Sequence, residues 1–191
     1  MSIKLIKLRK GQRHLPIEKL ENISEYTGLE IIGSSLEEIP DFYEVTKHLK
    51  ILIINCPELE TFPDFIYKLN NLEKLKVKNT KISKIKNSPI SFSKLKVIDL
   101  SSNQLDSLPQ WLYGLTELEE LSASGNSIEN LSESISNLTS LKRINLDRNR
   151  LKDIPQSLQS NQKLNHLSLE QNEFDDEVKN QLFLRFKIWF N

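Results

Sequence analysis

Apolar residues return along this chain at a fixed interval of 23 positions. One column of the pattern is apolar at seven successive steps: Leu29, Leu52, Leu75, Ile98, Leu121, Ile144 and Leu167. A second column, two residues later, is also apolar throughout: Ile31, Ile54, Val77, Leu100, Ala123, Leu146 and Leu169. Two further columns keep the same phase, so the pattern extends from residue 26 to residue 174. A constant period of this length predicts a repeat architecture.

The spacing inside each repeat predicts a short strand. Side chains two residues apart lie on the same face of a strand, so the two apolar columns share one buried face. A single repeat of this size cannot bury a core by itself, whereas stacked repeats bury a continuous one. Because every repeat has the same direction, the pattern predicts a parallel sheet with one solvent-facing side.

The full repeat unit reads L-x-x-L-x-L-x-x-N-x-L-x-x-L-P. It is clearest in LKVIDLSSNQLDSLP, residues 95–109, and in LKRINLDRNRLKDIP, residues 141–155. A P-x-x-I-x-x-L tail follows at Pro63 and, with leucine in the middle, at Pro109. The chain therefore resembles the leucine-rich repeat family, in its bacterial 23-residue form.

This resemblance implies an α/β fold, a leucine-rich repeat solenoid. A curved parallel β-sheet would form its concave face, and short 3₁₀ or α turns and loops would form its convex face. The third repeat has Lys86 where the tail proline is expected, with Pro89 and Phe92 further on, which predicts an extended convex loop there.

One column of the repeat contains asparagines, and the family resemblance implies that they have a structural role. Four repeats carry the expected residue, at Asn103, Asn126, Asn149 and Asn172, and in the family these side chains bond backbone groups of neighbouring turns. An amide has both donors and an acceptor for such bonds. The other three repeats have Ser34, Pro57 and Thr80 at this position. Because proline has no donor to offer, we expect the second repeat to be locally irregular.

The repeat boundaries predict a single domain over residues 1–191. Residues 1–25 are interpreted as a degenerate N-terminal cap repeat, with Ile3, Ile6 and Leu8 in phase with the first repeat. Residues 26–174 hold seven repeats. Residues 175–191 are interpreted as a helix-plus-strand cap, because Asp175, Asp176 and Glu177 favour a helix start and Phe186, Ile188 and Phe190 alternate like a strand.

Composition narrows the class of protein. The chain has 191 residues, 26 basic and 26 acidic side chains and one cysteine, Cys56. It contains no apolar run long enough to span a membrane and no recognisable Sec signal, so we expect a cytoplasmic protein, with non-Sec export left open. Zero net charge argues against a nucleic-acid binder, although residues 68–94 hold eight lysines and one glutamate.

Nothing in the pattern indicates catalysis, a cofactor or a metal site. His14, His48 and His166 do not share a column in adjacent repeats, and a metal site needs converging ligands. Cys56 has no histidine in register that could serve as its base. Glu117, Glu119 and Glu120 are interpreted as a solvated cluster, and Asp99 and Asp147 lie two repeats apart. We therefore expect a protein without enzymatic activity.

The residues between the buried columns define the solvent-facing side. Apolar or basic side chains cluster there over adjacent N-terminal repeats, and they are the predicted partner-binding set: Ile32, Ile51, Ile53, Lys74, Lys76, Lys78 and Val97. Exposed apolar patches often mark interaction sites. An alternative interpretation is that the N-terminal cap covers the isoleucines and the lysines are simply solvated.

Family resemblance and this surface together predict a module that binds another protein on its concave face. The partner's identity does not follow from the sequence. Two alternatives stay open: a self-associating scaffold, forming a homodimer, or a secreted bacterial effector. Self-association is suggested by the uneven distribution of charge along the chain. Residues 1–95 carry 16 basic and 12 acidic side chains, whereas residues 96–191 carry 10 basic and 14 acidic side chains.

Overall fold

The computed structural model describes residues 2–88 and 92–188. Eight parallel strands form one open sheet in which spatial order equals chain order. The strands are β1 (Ile3–Lys7), β2 (Gly28–Ile32), β3 (Ile51–Asn55), β4 (Lys74–Lys78), β5 (Val97–Asp99), β6 (Glu120–Ser122), β7 (Arg143–Asn145) and β8 (His166–Ser168). The predicted α/β leucine-rich repeat solenoid is thus confirmed.

The register of the sheet reproduces the 23-residue period. Leu29 on β2 pairs with Leu52 on β3, and Leu52 pairs with Leu75 on β4. Side chains of this column are almost fully buried from β2 to β6. Exact repetition stacks leucine on leucine, so each repeat is covered on both sides by its neighbours.

The first unit is two residues longer than the others. Ile6 pairs with Ile31 and Lys4 pairs with Leu29, an offset of 25 residues. The predicted 23-residue phase of Ile3, Ile6 and Leu8 is therefore wrong. The connection from β1 to β2 holds two successive 3₁₀ turns, Ile17–Leu20 and Ile23–Glu25, and accommodates the extra length.

Short helical turns connect the strands on the convex side. They are α1 (Tyr43–Thr46) and the 3₁₀ turns Asp64–Lys68, Gln110–Gly114, Glu133–Asn137 and Gln156–Ser160. Pro63 and Pro109 immediately precede two of these turns, with φ of −65° and −66°. Proline fits there because its fixed φ suits the entry to the turn and its missing N–H is not needed.

The third repeat has no helical turn over residues 81–88, as its missing proline predicts. Aromatic residues of the neighbouring repeats stabilise this extended segment from both sides. The Lys86 carbonyl accepts hydrogen bonds from the Tyr67 hydroxyl at 3.3 Å and the Trp111 indole N–H at 3.1 Å. The Phe92 ring packs against the Trp111 ring at 5.5 Å. Pro89 lies outside the described residues.

The asparagine side chains form a ladder of hydrogen bonds between repeats. The Asn149 amide donates to the Ala123 carbonyl of the preceding repeat at 3.0 Å and to the Leu146 carbonyl of its own repeat at 2.9 Å. Its oxygen accepts the Ile128 backbone N–H at 3.0 Å. Asn126 bonds in the same way, and Asn103 and Asn172 donate to equivalent carbonyls.

A left-handed residue precedes the asparagine column in five repeats. These residues have φ between 51° and 66°, and they are Asn79, Ser102, Gly125, Arg148 and Gln171. Neither Gly33 nor Cys56, at the same position of the first two repeats, has a positive φ. Proline restricts the residue before it to extended conformations, which accounts for the different turn at Cys56–Pro57.

The C-terminal segment begins as predicted and ends differently. Helix α2 spans Asp176–Phe186, and the Asp175 carboxylate accepts the Val178 N–H at 2.8 Å as its N-cap. The strand expected through Phe186 and Ile188 is absent from the described residues, because Phe186 still belongs to the helix and Lys187 turns the chain with φ of 58°. Phe190, the third residue of that expected strand, lies outside the described residues.

The ladder predicts a large loss of stability when one amide is removed. Asn149→Ala leaves three backbone groups without their partner, so the free energy of unfolding should fall by about 2–3 kcal/mol. Urea denaturation measures this change. The control is Asn130→Ala, at an exposed convex position, which should stay within about 0.5 kcal/mol of the parent chain. Equal midpoints for both variants would contradict the structural role of the ladder.

Candidate functional site

Alternate residues of the strands form three rows across the solvent-facing side of the sheet, here called the concave face. Strand register places each residue directly beside its counterpart in the next repeat. The first row begins Ile3, Gly28, Ile51, Lys74 and Val97; the second begins Leu5, Glu30, Ile53, Lys76 and Asp99; the third begins Lys7, Ile32, Asn55 and Lys78.

The predicted isoleucine cluster is only partly exposed. Ile32 and Ile53 are half-buried, so they keep accessible surface on the concave face. Ile51 is only 7% exposed, which contradicts its expected availability to a partner. The reason is Gly28, the row neighbour between Ile3 and Ile51: a methyl group at Gly28 would lie 3.0 Å from the Ile3 side chain and 3.1 Å from Ile51 Cβ. The two isoleucines therefore close over the glycine.

Two exposed apolar residues of β1 were missed in the sequence. Ile3 is 41% exposed and Leu5 is 56% exposed, and both lie in rows of the concave face. The signal was available in the alternation of Ile3, Leu5 and Lys7, but the assumed 23-residue phase assigned Ile3 to the buried side. Leu5, Ile32 and Ile53, with Ile3, form the surface that we call the apolar patch. Glu30 lies within it, between Leu5 and Ile53 in the second row.

The three lysines of β4 differ in their electrostatic surroundings. The Lys76 ammonium lies 3.6 Å from the Asp99 carboxylate of the next strand. Lys74 and Lys78 make no ion pair with any described residue. All three are half-buried, and Val97, which pairs with Lys74, is half-buried as well. The structure thus places two uncompensated cations on the strand next to β3, with Lys74 beside Ile51 and Lys78 beside Asn55, while Lys76 is the row neighbour of Ile53.

The C-terminal half of the concave face is polar. A shallow depression of about 210 Å³ is lined by Lys76, Asp99, Glu120, Arg143 and His166, among others. Asp147 is already used within the fold, because its Oδ1 accepts the Ser168 hydroxyl and the Glu170 N–H, both at 2.7 Å. Asp99 likewise accepts the Ser101 N–H at 3.1 Å. Neither carboxylate is arranged as an acid–base pair.

Charged residues beside the strands pair across repeats at the repeat spacing. The Lys50 ammonium lies 2.9 Å from Glu73, and the Lys142 ammonium lies 2.7 Å from Glu119. A hydrogen bond from the lysine lowers the pKa of each glutamate below its usual value. The lysines of these pairs are exposed and the glutamates are half-buried. Glu119, one member of the predicted glutamate cluster, therefore connects neighbouring repeats.

The histidines do not converge. His14 lies 3.4 Å from Glu38 at the surface, and His166 lines the concave depression. His48 places Nε2 at 3.2 Å from the Ile23 carbonyl and 3.1 Å from the Tyr26 carbonyl, which ties its turn to the preceding unit. Within residues 2–88 and 92–188 there is no group of three or more His, Cys, Asp or Glu side chains that could hold a metal ion.

A groove on the flank of the first three repeats was not expected from the sequence. Its volume is about 590 Å³, and residues around it include Glu38, Glu60, Phe62 and Asp64. Lys86 lies 3.0 Å from the Asp64 carboxylate at its edge. The charges of this groove are thus partly matched within the chain.

Comparison with known proteins identifies the repeats. A family model described as leucine rich repeat matches residues 70–128, and a model of two leucine rich repeat copies matches residues 116–159. The chain is a leucine-rich repeat protein. None of the curated proteins matches its sequence significantly.

Solved leucine-rich repeat structures share the fold. A leucine-rich repeat protein of Leptospira interrogans is 22% identical, with a TM-score of 0.67 over 85% of this chain and 54% of that one. Internalin C2 of Listeria monocytogenes is 26% identical, with a TM-score of 0.64 over 82% of this chain and 68% of that one. One chain in the structure of the Drosophila Toll–Spatzle complex is 22% identical, with a TM-score of 0.73 over 92% of this chain and 25% of that one. The chain spans about half the length of the Leptospira protein.

No helix among the described residues of this leucine-rich repeat protein is long and apolar enough to cross a membrane.

The single cysteine of this leucine-rich repeat protein should be unreactive in the folded state. Cys56 is fully buried with its sulfur 3.8 Å from the Ile31 carbonyl, and burial raises the pKa of the thiol to about 11. Because the thiolate is the nucleophile, iodoacetamide at pH 8 should label the native chain about a hundredfold more slowly than the urea-unfolded chain. Mass spectrometry follows the labelling. Equal rates in both states would contradict the buried, protonated thiol.

Proposed function

We propose that the chain is a single-domain protein-interaction module that binds a partner protein on the N-terminal half of its concave face. One observation carries this proposal: the partly exposed apolar patch lies beside Lys74 and Lys78, which have no counter-charge among the described residues. Exposed apolar patches bordered by polar or charged residues often mark interaction sites. No catalytic group, metal or cofactor is needed for this function.

Family membership supports a binding role in general. Leucine-rich repeat solenoids present an extended sheet that suits recognition of another protein. The Toll structure is a complex with Spatzle, so one solved neighbour of this fold is associated with a protein partner. That likeness concerns the fold, and the chemistry of the partner has to come from the residues of this chain.

The apolar residues and the lysines of this surface would contribute to binding in different ways. Ile32 and Ile53 are the apolar anchors, because a partner would remove their remaining accessible apolar surface from water. Lys74 and Lys78 attract an acidic partner and orient it, an effect that acts mainly on the association rate. Lys76 contributes less, since Asp99 already compensates its charge. Val97 extends the apolar contact on the far side of Lys74.

A double substitution tests the apolar anchors. Ile32→Asp/Ile53→Asp places two carboxylates on the patch, so recovery of the partner from host lysate should fall by about tenfold or more. Quantitative mass spectrometry of affinity pull-downs measures this recovery. Ile51 is unsuitable for this test, because it is buried and a carboxylate at this position would destabilise the fold.

The control is Leu184→Asp on α2, which introduces a single carboxylate at a residue that is 68% exposed and far along the chain from the patch. It should recover the partner like the parent chain, and melting temperatures should show that all variants fold. A partner recovered equally by the double variant would exclude the apolar patch as the binding site.

Self-association is a second candidate because the two halves of the chain have opposite net charge. Complementary ends favour head-to-tail contacts between copies. Light scattering over a range of concentrations distinguishes the two candidates. A monomer mass that does not change with concentration would exclude self-association and leave partner binding.

A further inference from the structure

Among residues 2–88 and 92–188, none bonds to the backbone groups on the outer edge of β1. In a parallel pair, residues alternate in direction, and each bonds to only one of its two neighbouring strands. Gly28 N–H donates to the Ser2 carbonyl at 3.1 Å and Leu8 N–H donates to the Ile32 carbonyl at 2.8 Å, so the even-numbered residues face β2. The N–H and C=O groups of Ile3, Leu5 and Lys7 therefore point away from the sheet, where no described strand pairs with them.

This edge is held in strand conformation before any partner arrives. The Ser2 carbonyl also accepts the Thr27 hydroxyl at 3.2 Å. The Lys4 ammonium donates to the Glu21 carbonyl and lies 5.6 Å from the centroid of the Tyr26 ring. Ile6 is buried against the core. An incoming strand would not have to order β1, so its binding would not be reduced by that entropy cost.

Side chains along the edge change from apolar to basic. Ile3 and Leu5 are exposed at its start. Lys7, Arg9 and Lys10 are exposed at its end and make no ion pair with described residues. Residues 1–17 contain no aspartate or glutamate. Glu30 lies beside Leu5 on β2, but it makes no ion pair with these cations in the described structure.

We propose that the outer edge of β1 accepts an extended acidic segment of another protein as an additional strand of the sheet. Backbone hydrogen bonds to Ile3, Leu5 and Lys7 hold the segment. Its apolar residues contact Ile3 and Leu5, and its carboxylates approach Lys7, Arg9 and Lys10. This site shares Ile3 and Leu5 with the apolar patch but uses neither Ile32 and Ile53 nor the β4 lysines, so its backbone pairing is tested independently of the function proposed above.

A second copy of this chain fits the edge less well. Pairing two β1 strands antiparallel around Leu5 places Lys7 of one copy opposite Ile3 of the other. Every cation of the edge then remains without a carboxylate. Charged residues on edge strands act against such self-pairing, whereas an acidic strand compensates them.

Two short synthetic peptides with labelled, blocked ends test the proposal. One has β-branched residues followed by glutamates, and the other has the same residues in reverse order, so together they cover parallel and antiparallel docking. A peptide with lysines in place of the glutamates is the charge control. Fluorescence anisotropy should show saturable binding of one acidic peptide, weakened by added salt, and no binding of the lysine peptide.

Variants at one position separate backbone pairing from side-chain contact. Leu5→Pro removes the outward N–H without breaking a bond to β2, whereas Leu5→Ala removes only the side chain. We expect Leu5→Pro to bind the acidic peptide about tenfold more weakly than Leu5→Ala. A second variant, Lys7→Glu/Arg9→Glu/Lys10→Glu, changes only exposed residues and should abolish binding, so the test does not depend on the proline variant folding.

Leu184→Asp on α2, an exposed residue beyond the last strand of the sheet, should leave peptide binding unchanged. The proposal is overturned if neither acidic peptide binds, if Leu5→Pro and Leu5→Ala bind equally, or if the charge-reversed variant still binds. It is also overturned if the parent chain dimerises in sedimentation experiments and Leu5→Pro abolishes the dimer, because the edge would then serve a second copy.

Discussion

Stacking at a constant interval is the constraint on which this structure depends. A 23-residue unit is too small to cover its own leucines, so each unit is buried only by the units on either side. The interval fixes the register, and the register aligns three systems at once: the leucine columns, the asparagine ladder and the cross-repeat ion pairs such as Lys50–Glu73. Residues that do not take part in stacking are left facing solvent in straight rows. The concave face is a direct result of that geometry, and its chemistry is free to serve binding.

Most of the fold could be predicted because each of the seven repeats independently indicates the same strand register. Four apolar columns, the asparagines and the tail prolines all indicated one phase, and the strands follow it from β2 to β8. Prediction was wrong where there is only one copy of a unit. The first unit has an offset of 25 residues, and no neighbour in the sequence could reveal the two extra positions. At the other end, the alternation of Phe186 and Ile188 suggested a strand, but the helix begun at Asp175 continues through Phe186.

The sequence could predict which residues lie on the concave face, but it could not predict how accessible each side chain is. Strand alternation placed Ile32, Ile53 and the β4 lysines correctly on the concave face. It could not show that Ile51 closes over Gly28, because that depends on a missing side chain in the neighbouring strand. Nor could it show that Asp99 compensates Lys76 while Lys74 and Lys78 stay unpaired, since three lysines in one strand look equivalent in the sequence. Asn161 is a further example on the convex side, where its buried amide donates to the Leu138 carbonyl at 2.9 Å. The sequence did not reveal this hydrogen bond, because Asn161 stands in a column of otherwise apolar residues.

Site-specific photo-crosslinking tests the central claim most directly, because it reports which face touches the partner. A photoreactive residue at Asn55, beside Ile32 on the concave face, is compared with one at Asn137, exposed on the convex turn. The account predicts one crosslinked protein from the Asn55 position and none from Asn137. Crosslinking of the same protein from Asn137 alone would place the partner on the convex side and contradict binding by the concave face.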